Sequence, residues 1–315
     1  MGNGIASRQN QISALNYLSA QRSLYRKAKA THALQLFLSV ILICGLSIIT
    51  LILKATSLLQ QSDLPAVDIS SFVAVVSVLV TIFEPLLLTR RANSLKQKAA
   101  SVQELFDTTV LLLPWNPVAV ANKPDKEDVL SWGRSLRGEK VELDRLRNWY
   151  SPRVDELPIA AARIVCQRSN LWWDAELRRL FVTLLASTTS LLFALILLSA
   201  VFEGVTLRNF FLSILFPSLP VISYTVRQWL DNQSTIKELA RLKHSLNSLW
   251  DDLIHKRLDD EQLAVRSRAV QDQIFLLRKT SPLVFDWVYN LKKTKQEDGM
   301  HYAVDAMIEE LQSVA

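Results

Sequence analysis

The sequence predicts an all-α membrane protein. Four transmembrane helices carry a helical cytoplasmic domain formed by the N-terminus, the 90–179 loop and the C-terminal segment. Three observations predict this class. First, 50% of the 315 residues are hydrophobic and 21% are charged, yet the apolar residues gather in four long runs. A hydrocarbon layer of ~30 Å takes about 20 helical residues to cross. Second, of 36 Lys and Arg, only Lys54 and Arg208 lie in the connections between paired runs. The excess of basic residues elsewhere places both termini and the central loop in the cytoplasm. Third, the polar segments repeat their apolar residues at helical spacing.

The elements follow in chain order. Residues 1–32 are a cytoplasmic helix ending in the basic flank "RSLYRKAK". The first span, 33–53 ("ALQLFLSVILICGLSIITLIL"), contains no charge. No small-residue cleavage site follows it and the chain soon re-enters the membrane, so it is not a signal peptide. The second span, 69–88, is interrupted near its end by Glu84-Pro85. The 90–179 region opens on "TRRANSLKQK" and contains "PDKEDVLSWGRSLRG", whose leading Pro and closing Gly bound a short helix. Pro158 starts a helix that runs through Arg179 into the third span, 180–201, as a rod of roughly 66 Å. The fourth span, 209–226, is broken by Pro217 and Pro220 and reaches across if tilted. In the 227–315 region, Leu239, Leu242, Leu246, Leu249 and Leu253 alternate steps of three and four. That seam suits packing within the monomer and self-association equally.

Several function classes are disfavoured. Cys44 and Cys166 are far apart, and His32, His244, His255 and His301 lack ligand spacing, so neither a disulfide framework nor a metal site is expected. No cofactor is expected either. No Gly-rich phosphate loop, nucleophile elbow, HExxH or kinase-like set is present, and no carboxylate pair stands out. The sequence therefore does not read as an enzyme. Positive-inside bias accounts for the net charge of +6 without DNA or RNA as a partner.

The richest stretch is "VCQRSNLWWDAELRR", Val165 to Arg179, immediately before the third apolar run. At 100° per residue, Arg163, Gln167, Asn170, Asp174 and Arg178 fall within about 80° of arc. Solvated helix stripes usually pair Lys with Glu at i,i+4, whereas this one sets amides and a carboxylate between arginines. Amides and carboxylates read base edges, Arg grips phosphate bidentately, and Trp172 or Trp173 offers a stacking face. A buried polar network between helices has the same pattern. Composition leaves both open. "RNWYSP" adds Trp149 and Tyr150, suited to a pocket or to a core. All eight tryptophans lie outside the apolar runs and on the cytoplasmic side, which reads as core or pocket tryptophan and not as a two-sided belt. In the second span, Ser70, Ala74, Ser77, Thr81 and Glu84 share one face. Such a stripe lines a water-filled path when copies assemble, or lets helices pack closely.

Four blocks in this order around four spans carry a family resemblance. They are "QNQISALNYLSAQRSLYRKAK", "VQELFDTTVLLLPWN", "NWYSPRVDELPIAAARIVCQRSNLWWDAELRR" and "SPLVFDWVYNLKK". The sequence resembles the SMODS-associated four-transmembrane pore-forming effectors of bacterial nucleotide-signalling antiphage systems. The resemblance implies a CBASS-like role. A partner cyclic-nucleotide synthase makes a cyclic oligonucleotide, and the effector binds it through its cytoplasmic part. The effector then assembles or rearranges, as a homo-oligomer, to permeabilise the bacterial inner membrane and arrest growth. With such a ligand expected, the leading site candidates are Arg163, Gln167, Asn170, Asp174 and Arg178 with Trp172 or Trp173, and then Trp149 and Tyr150. Two other classes fit the same architecture: a membrane scaffold or accessory subunit, and a small-solute transporter.

Overall fold

The computed structural model describes residues 2–42, 45, 49, 75, 79–80, 83–137, 143–202 and 216–314. Among these the secondary structure is helical, with no strand. The helices are α1 (Ile5–Gln9), α2 (Ile12–Leu36), α3 (Arg90–Val110), the single turn α4 (Pro117–Val120) and α5 (Lys126–Arg137). They continue with α6 (Ile159–Phe202), α7 (Phe216–Ile254), α8 (Asp260–Thr280) and α9 (Asp286–Val314). A 3₁₀ turn covers Pro152–Glu156, and π-helical stretches cover Phe37–Leu42 and Glu84–Thr89. The second π stretch has Pro85 in its first turn, where a proline's missing N–H costs no bond within the element.

Local signals explain where the helices start and stop. Asp259 caps α8: its carboxylate accepts from the Gln262 amide at 2.8 Å, while Gln262 accepts from the Asp259 amide at 3.2 Å. Asp260 and Glu261 occupy the first turn of α8 and Arg278 and Lys279 its last, each sign facing the favourable end of the helix dipole. The start that Pro158 predicts is found: α6 is one uninterrupted helix of 44 residues.

The chain divides into two compact units. The larger comprises Met1–Ala28, Asn93–Phe181 and Asn232–Ala315; the smaller comprises Lys29–Ala92 and Val182–Asp231. The larger unit has a conventional buried core. Phe106, Leu111, Ile164, Leu246 and Ile308 are fully enclosed in it, and Ile5, Leu18, Leu146 and Trp250 join them. Leu239, Leu242, Leu246 and Leu249 are all buried there and Leu253 packs against them, so the leucine seam is used inside the chain. A second cluster sets Ala20 and Leu24 of α2 on Ala99 and Val102 of α3 and Val129 of α5. Gly133 permits that approach: a Cβ there would lie 3.3 Å from the Ala20 backbone nitrogen.

The smaller unit has the opposite character. Leu191, Leu195 and Leu198 of α6 point outward at steps of four and three, as do Phe37, Leu86 and Leu87. Gln35 donates to Thr89 Oγ1 at 3.3 Å, the Thr189 and Thr225 hydroxyls are 3.1 Å apart, and the His32 ring faces Tyr224. Among the described residues one helix is long and apolar enough to cross a membrane, α6 over Ile159–Leu195. The other three predicted spans, 33–53, 69–88 and 209–226, fall partly outside the described residues.

Truncation of the central aromatic should be costly. Phe106→Ala is expected to lower unfolding free energy by about 3–5 kcal/mol, whereas Ile12→Ala, at an exposed position, stays within about 0.5 kcal/mol. Denaturant titration of the detergent-solubilised protein, followed by helical circular dichroism, checks both.

Candidate functional site

Helix α6 places its polar stripe against several other segments of the larger unit. At the N-terminal end, Arg163 meets the first carbonyls beyond α3. Its Nε donates to Leu111 O at 2.7 Å and its Nη2 to Leu112 O at 2.7 Å. Arg8 from α1 reaches the same helix end, with Nε donating to Val110 O at 2.9 Å. Carbonyls at a helix C-terminus have no partner within their own helix, and guanidinium donors suit both them and the dipole. Leu112 turns the chain away with a left-handed φ of 53°. The Arg163 pKa is lowered, chiefly by burial and then by the neighbouring Arg8 charge.

One turn on, Gln167 is fully buried. Its Nε2 donates to Ser267 O at 2.9 Å and to Gln271 Oε1 at 3.0 Å, and its Oε1 accepts from Ser267 Oγ at 2.9 Å. Gln271 in turn donates to Glu104 Oε2 at 2.8 Å and to Asp107 Oδ2 at 3.0 Å. Both carboxylates are completely enclosed. Arg268 donates to Glu104 at 2.6 Å and to Asp272 at 2.7 Å, while Arg278 pairs with Asp107. Tyr150 Oη donates to Asp107 Oδ1 at 2.7 Å and accepts from Asn170 Nδ2 at 3.0 Å. The backbone of Tyr150 is clasped by Gln9, whose side chain accepts from its N–H at 2.8 Å and donates to its carbonyl at 3.1 Å.

The network therefore joins α1, α3, α6, α8 and the turn at Tyr150. Its protonation equilibria follow from burial. The Tyr150 phenol is raised well above its ordinary range by burial and then by Asp107. Burial also pushes Tyr25 up to about 12. Burial opposes the Arg278 charge, but Asp107 and Tyr150 outweigh it and hold that guanidinium above its usual value. Glu104 is raised by burial first and by Asp107 second, against the pull of Arg268. The Cys166 thiol, buried beside this network, is raised in the same way.

At the far end of the stripe Arg178 is buried. Its Nη1 donates to Asn232 Oδ1 at 2.9 Å and to Pro282 O at 3.0 Å, and Asp174 lies 3.0 Å from its Nε. The tryptophan pair takes no part in the network. Trp172 packs on Gly299, where a Cβ would come within 2.9 Å of the indole, and Trp173 lies against Tyr289 with ring centroids 5.9 Å apart. Trp149 meets Phe106 edge-on at 6.2 Å, and Tyr150 stacks on the same ring at 6.1 Å. Gln167, Asn170 and Tyr150 thus share one network, Asp174 and Arg178 form a pair, and Arg163 stands at the other end. Trp229 and Trp287 are exposed, contrary to the expectation that all tryptophans are core or pocket residues. Ser70, Ser77 and Thr81, and the side chain of Glu84, lie outside the described residues.

An open groove of about 550 Å³ runs beside Arg163, lined by Asn3, Leu112, Glu156, Leu157, Pro158, Ile159 and Arg163. That volume is in the range of small-molecule sites. The Glu156 charge is answered by Arg153 at 3.0 Å, so the groove does not present a bare carboxylate. Sequence analysis names Arg163 but misses Asn3, Arg8 and the pair Glu104 and Asp107. Spacing held a signal for the last two: Gln103, Glu104 and Asp107 interrupt the apolar positions of α3, where charged residues are rarely left without partners.

Residues 3–307 match the model of the SMODS-associating 4TM effector domain. The chain is also similar to a Bacillus cereus (strain VD146) protein described as a "Probable CBASS effector molecule". The two are 28% identical over 302 residues, covering 93% of this chain and 94% of that protein. No solved structure matches the chain.

The raised Glu104 pKa gives a signed pH effect. As pH falls from neutrality toward the ordinary value of 4.5, Glu104 protonates in the folded chain before it does so in the unfolded one. Its contribution to stability therefore increases on acidification. Glu156, lowered by its hydrogen bond to Arg153, contributes in the opposite sense. Unfolding free energy measured across that pH window should move in favour of the wild type relative to Glu104→Gln as pH drops. A constant difference would mean that Glu104 titrates normally.

Proposed function

The chain belongs to the SMODS-associating 4TM effector family, and from that premise we propose that it is a membrane effector of bacterial antiphage defence. It binds a cyclic oligonucleotide through its larger, cytoplasmic unit and opens or forms a pore in the inner membrane, arresting growth. The observation that carries this reading is the family match over residues 3–307, to which the CBASS description of the Bacillus cereus relative adds the signalling context. A neighbouring cyclic-nucleotide synthase supplies the ligand, and the protein itself needs no catalytic group.

The residues support a specific course of events. Four spans, at 33–53, 69–88, 180–201 and 209–226, hold the smaller unit in the bilayer, with the outward leucines of α6 against lipid. Both termini are cytoplasmic. Four helices of one chain cannot enclose a wide channel, so the pore is a homo-oligomer, with Ser70, Ser77, Thr81 and Glu84 on its lumen. The ligand occupies the groove beside Arg163. There a phosphodiester competes with the Leu111 and Leu112 carbonyls for the guanidinium, and charge-assisted hydrogen bonds are roughly twice as strong as neutral ones. Arg163 lies on α6, the helix that continues to Phe202, so its change of partner acts on the helix that carries the third span.

Leakage of dye or ions from liposomes holding the purified protein, challenged with a panel of cyclic di- and trinucleotides, tests the proposal. One member of the panel is expected to trigger leakage. Silence across the panel from inserted, folded protein would overturn it in favour of a scaffold. Arg163→Ala should weaken the response to that nucleotide roughly ten- to hundredfold without loss of insertion. Glu84→Gln should change single-channel conductance or ion preference, and unchanged channels would place Glu84 outside the lumen.

A further inference from the structure

Trp287 and Leu291 stand on one face of the first turns of α9, 53% and 63% exposed, while Val284 and Val288 beside them are buried. A large indole left outside a core that has room for Val288 calls for a partner. The neighbourhood of this face identifies one. Pro282, just before α9, receives the Arg178 guanidinium at 3.0 Å, and Phe285 meets Phe181 edge-on with ring centroids 6.4 Å apart. Trp173 lies against Tyr289 at 5.9 Å. The start of α9 is thus strapped alongside residues 173–181 of α6, where the last charges, Arg178 and Arg179, give way to the apolar run that begins at Leu180. After Leu291 the sequence continues Lys292, Lys293, Thr294, Lys295.

We propose that the first turns of α9 are a peripheral membrane contact, with Trp287 and Leu291 seated at the headgroup level of the cytoplasmic leaflet and the lysine-rich sequence that follows adding charge that favours anionic lipid. The proposal rests on the membrane reading above but not on nucleotide binding or on a pore. An amphipathic indole suits the boundary between headgroups and acyl chains, and clustered lysines beside a span favour anionic headgroups. Lipid is the favoured occupant because the face lies level with the entry of α6 into its apolar run, where a bilayer boundary is already required. A basic flank also matches the charge of that leaflet, whereas a second copy would bring the same lysines against each other.

Tryptophan fluorescence of the full chain, reconstituted in phosphatidylcholine vesicles with and without phosphatidylglycerol, tests this. The lipid is brominated near the glycerol end of its acyl chains, and iodide serves as the aqueous quencher. Trp287→Phe keeps an aromatic ring at an exposed site, and its circular dichroism should match the wild type. The expected result is that Trp287→Phe removes emission quenchable by brominated lipid and leaves iodide-quenchable emission unchanged. Replacing Lys292, Lys293 and Lys295 with Gln should remove the extra lipid quenching that phosphatidylglycerol gives. If Trp287→Phe instead removes iodide-quenchable emission, the face is in water and the proposal fails while the membrane reading stands. If the Trp287 emission resists both quenchers and becomes iodide-accessible on dilution of protein in lipid, a second copy covers the face and the proposal fails. If brominated lipid quenches no tryptophan of wild type that co-floats with the vesicles, the proposal fails while the membrane reading stands. If the protein does not co-float with the vesicles, the membrane reading fails and takes this proposal with it.

Discussion

Two carboxylates, Glu104 and Asp107, sit one turn apart on α3 with no exposure to solvent, and the larger unit is organised around satisfying them. A buried charge without partners costs several kcal/mol, so the surrounding helices must deliver donors to fixed points. Arg268, Gln271 and Arg278 of α8 do so along one face, Tyr150 arrives from a turn, and Asn170 and Gln167 of α6 close the outer side. Apolar packing among Phe106, Ile164 and Leu246 tolerates small slips between helices. Hydrogen bonds to two points one turn apart do not, because a shift of one residue would rotate every donor out of reach. The polar centre thus fixes register where the apolar core supplies cohesion.

Much of this helical layout was legible in the sequence. A proline start, an unbroken run of helix formers and an apolar continuation identify α6, and alternating leucines identify the buried face of α7. The stripe from Arg163 to Arg178 was visible as unusual because amides and aspartate replace the usual Lys–Glu pairs. Its partners were not visible. Gln167 meets Ser267, Arg178 meets Pro282 and Tyr150 meets Gln9, all contacts between residues remote in sequence that only the tertiary fold brings together. The tryptophans were over-assigned to the interior for a related reason. Composition places Trp250 and Trp287 in the same class, but the first finds Glu310 for its indole N–H at 2.8 Å and the second stands outside the core.

Under the proposed function, one helix serves stability and signalling at once. Gln167 and Arg178 are engaged by buried protein partners, so they hold α6 in place. Arg163, at the groove, is held by neutral carbonyls that an anion can replace. The asymmetry along the stripe leaves Arg163 as a guanidinium whose bonding can change without dismantling the polar centre. A membrane effector has reason to keep those roles apart, since a site that loosens its core on binding would lose the lever along with the lock.

The larger unit draws on three separate stretches, Met1–Ala28, Asn93–Phe181 and Asn232–Ala315, with the segments of the smaller unit between them. During synthesis the first two stretches emerge before Arg268, Gln271 and Arg278, the α8 partners of Glu104 and Asp107, which follow them by 164, 167 and 171 residues. Completion of the larger unit therefore awaits the third stretch, and contacts of such long sequence separation form late. A ribosome-bound or prematurely ended chain lacks the partners that organise its polar centre. That order of assembly ties the folded larger unit to synthesis of all three stretches.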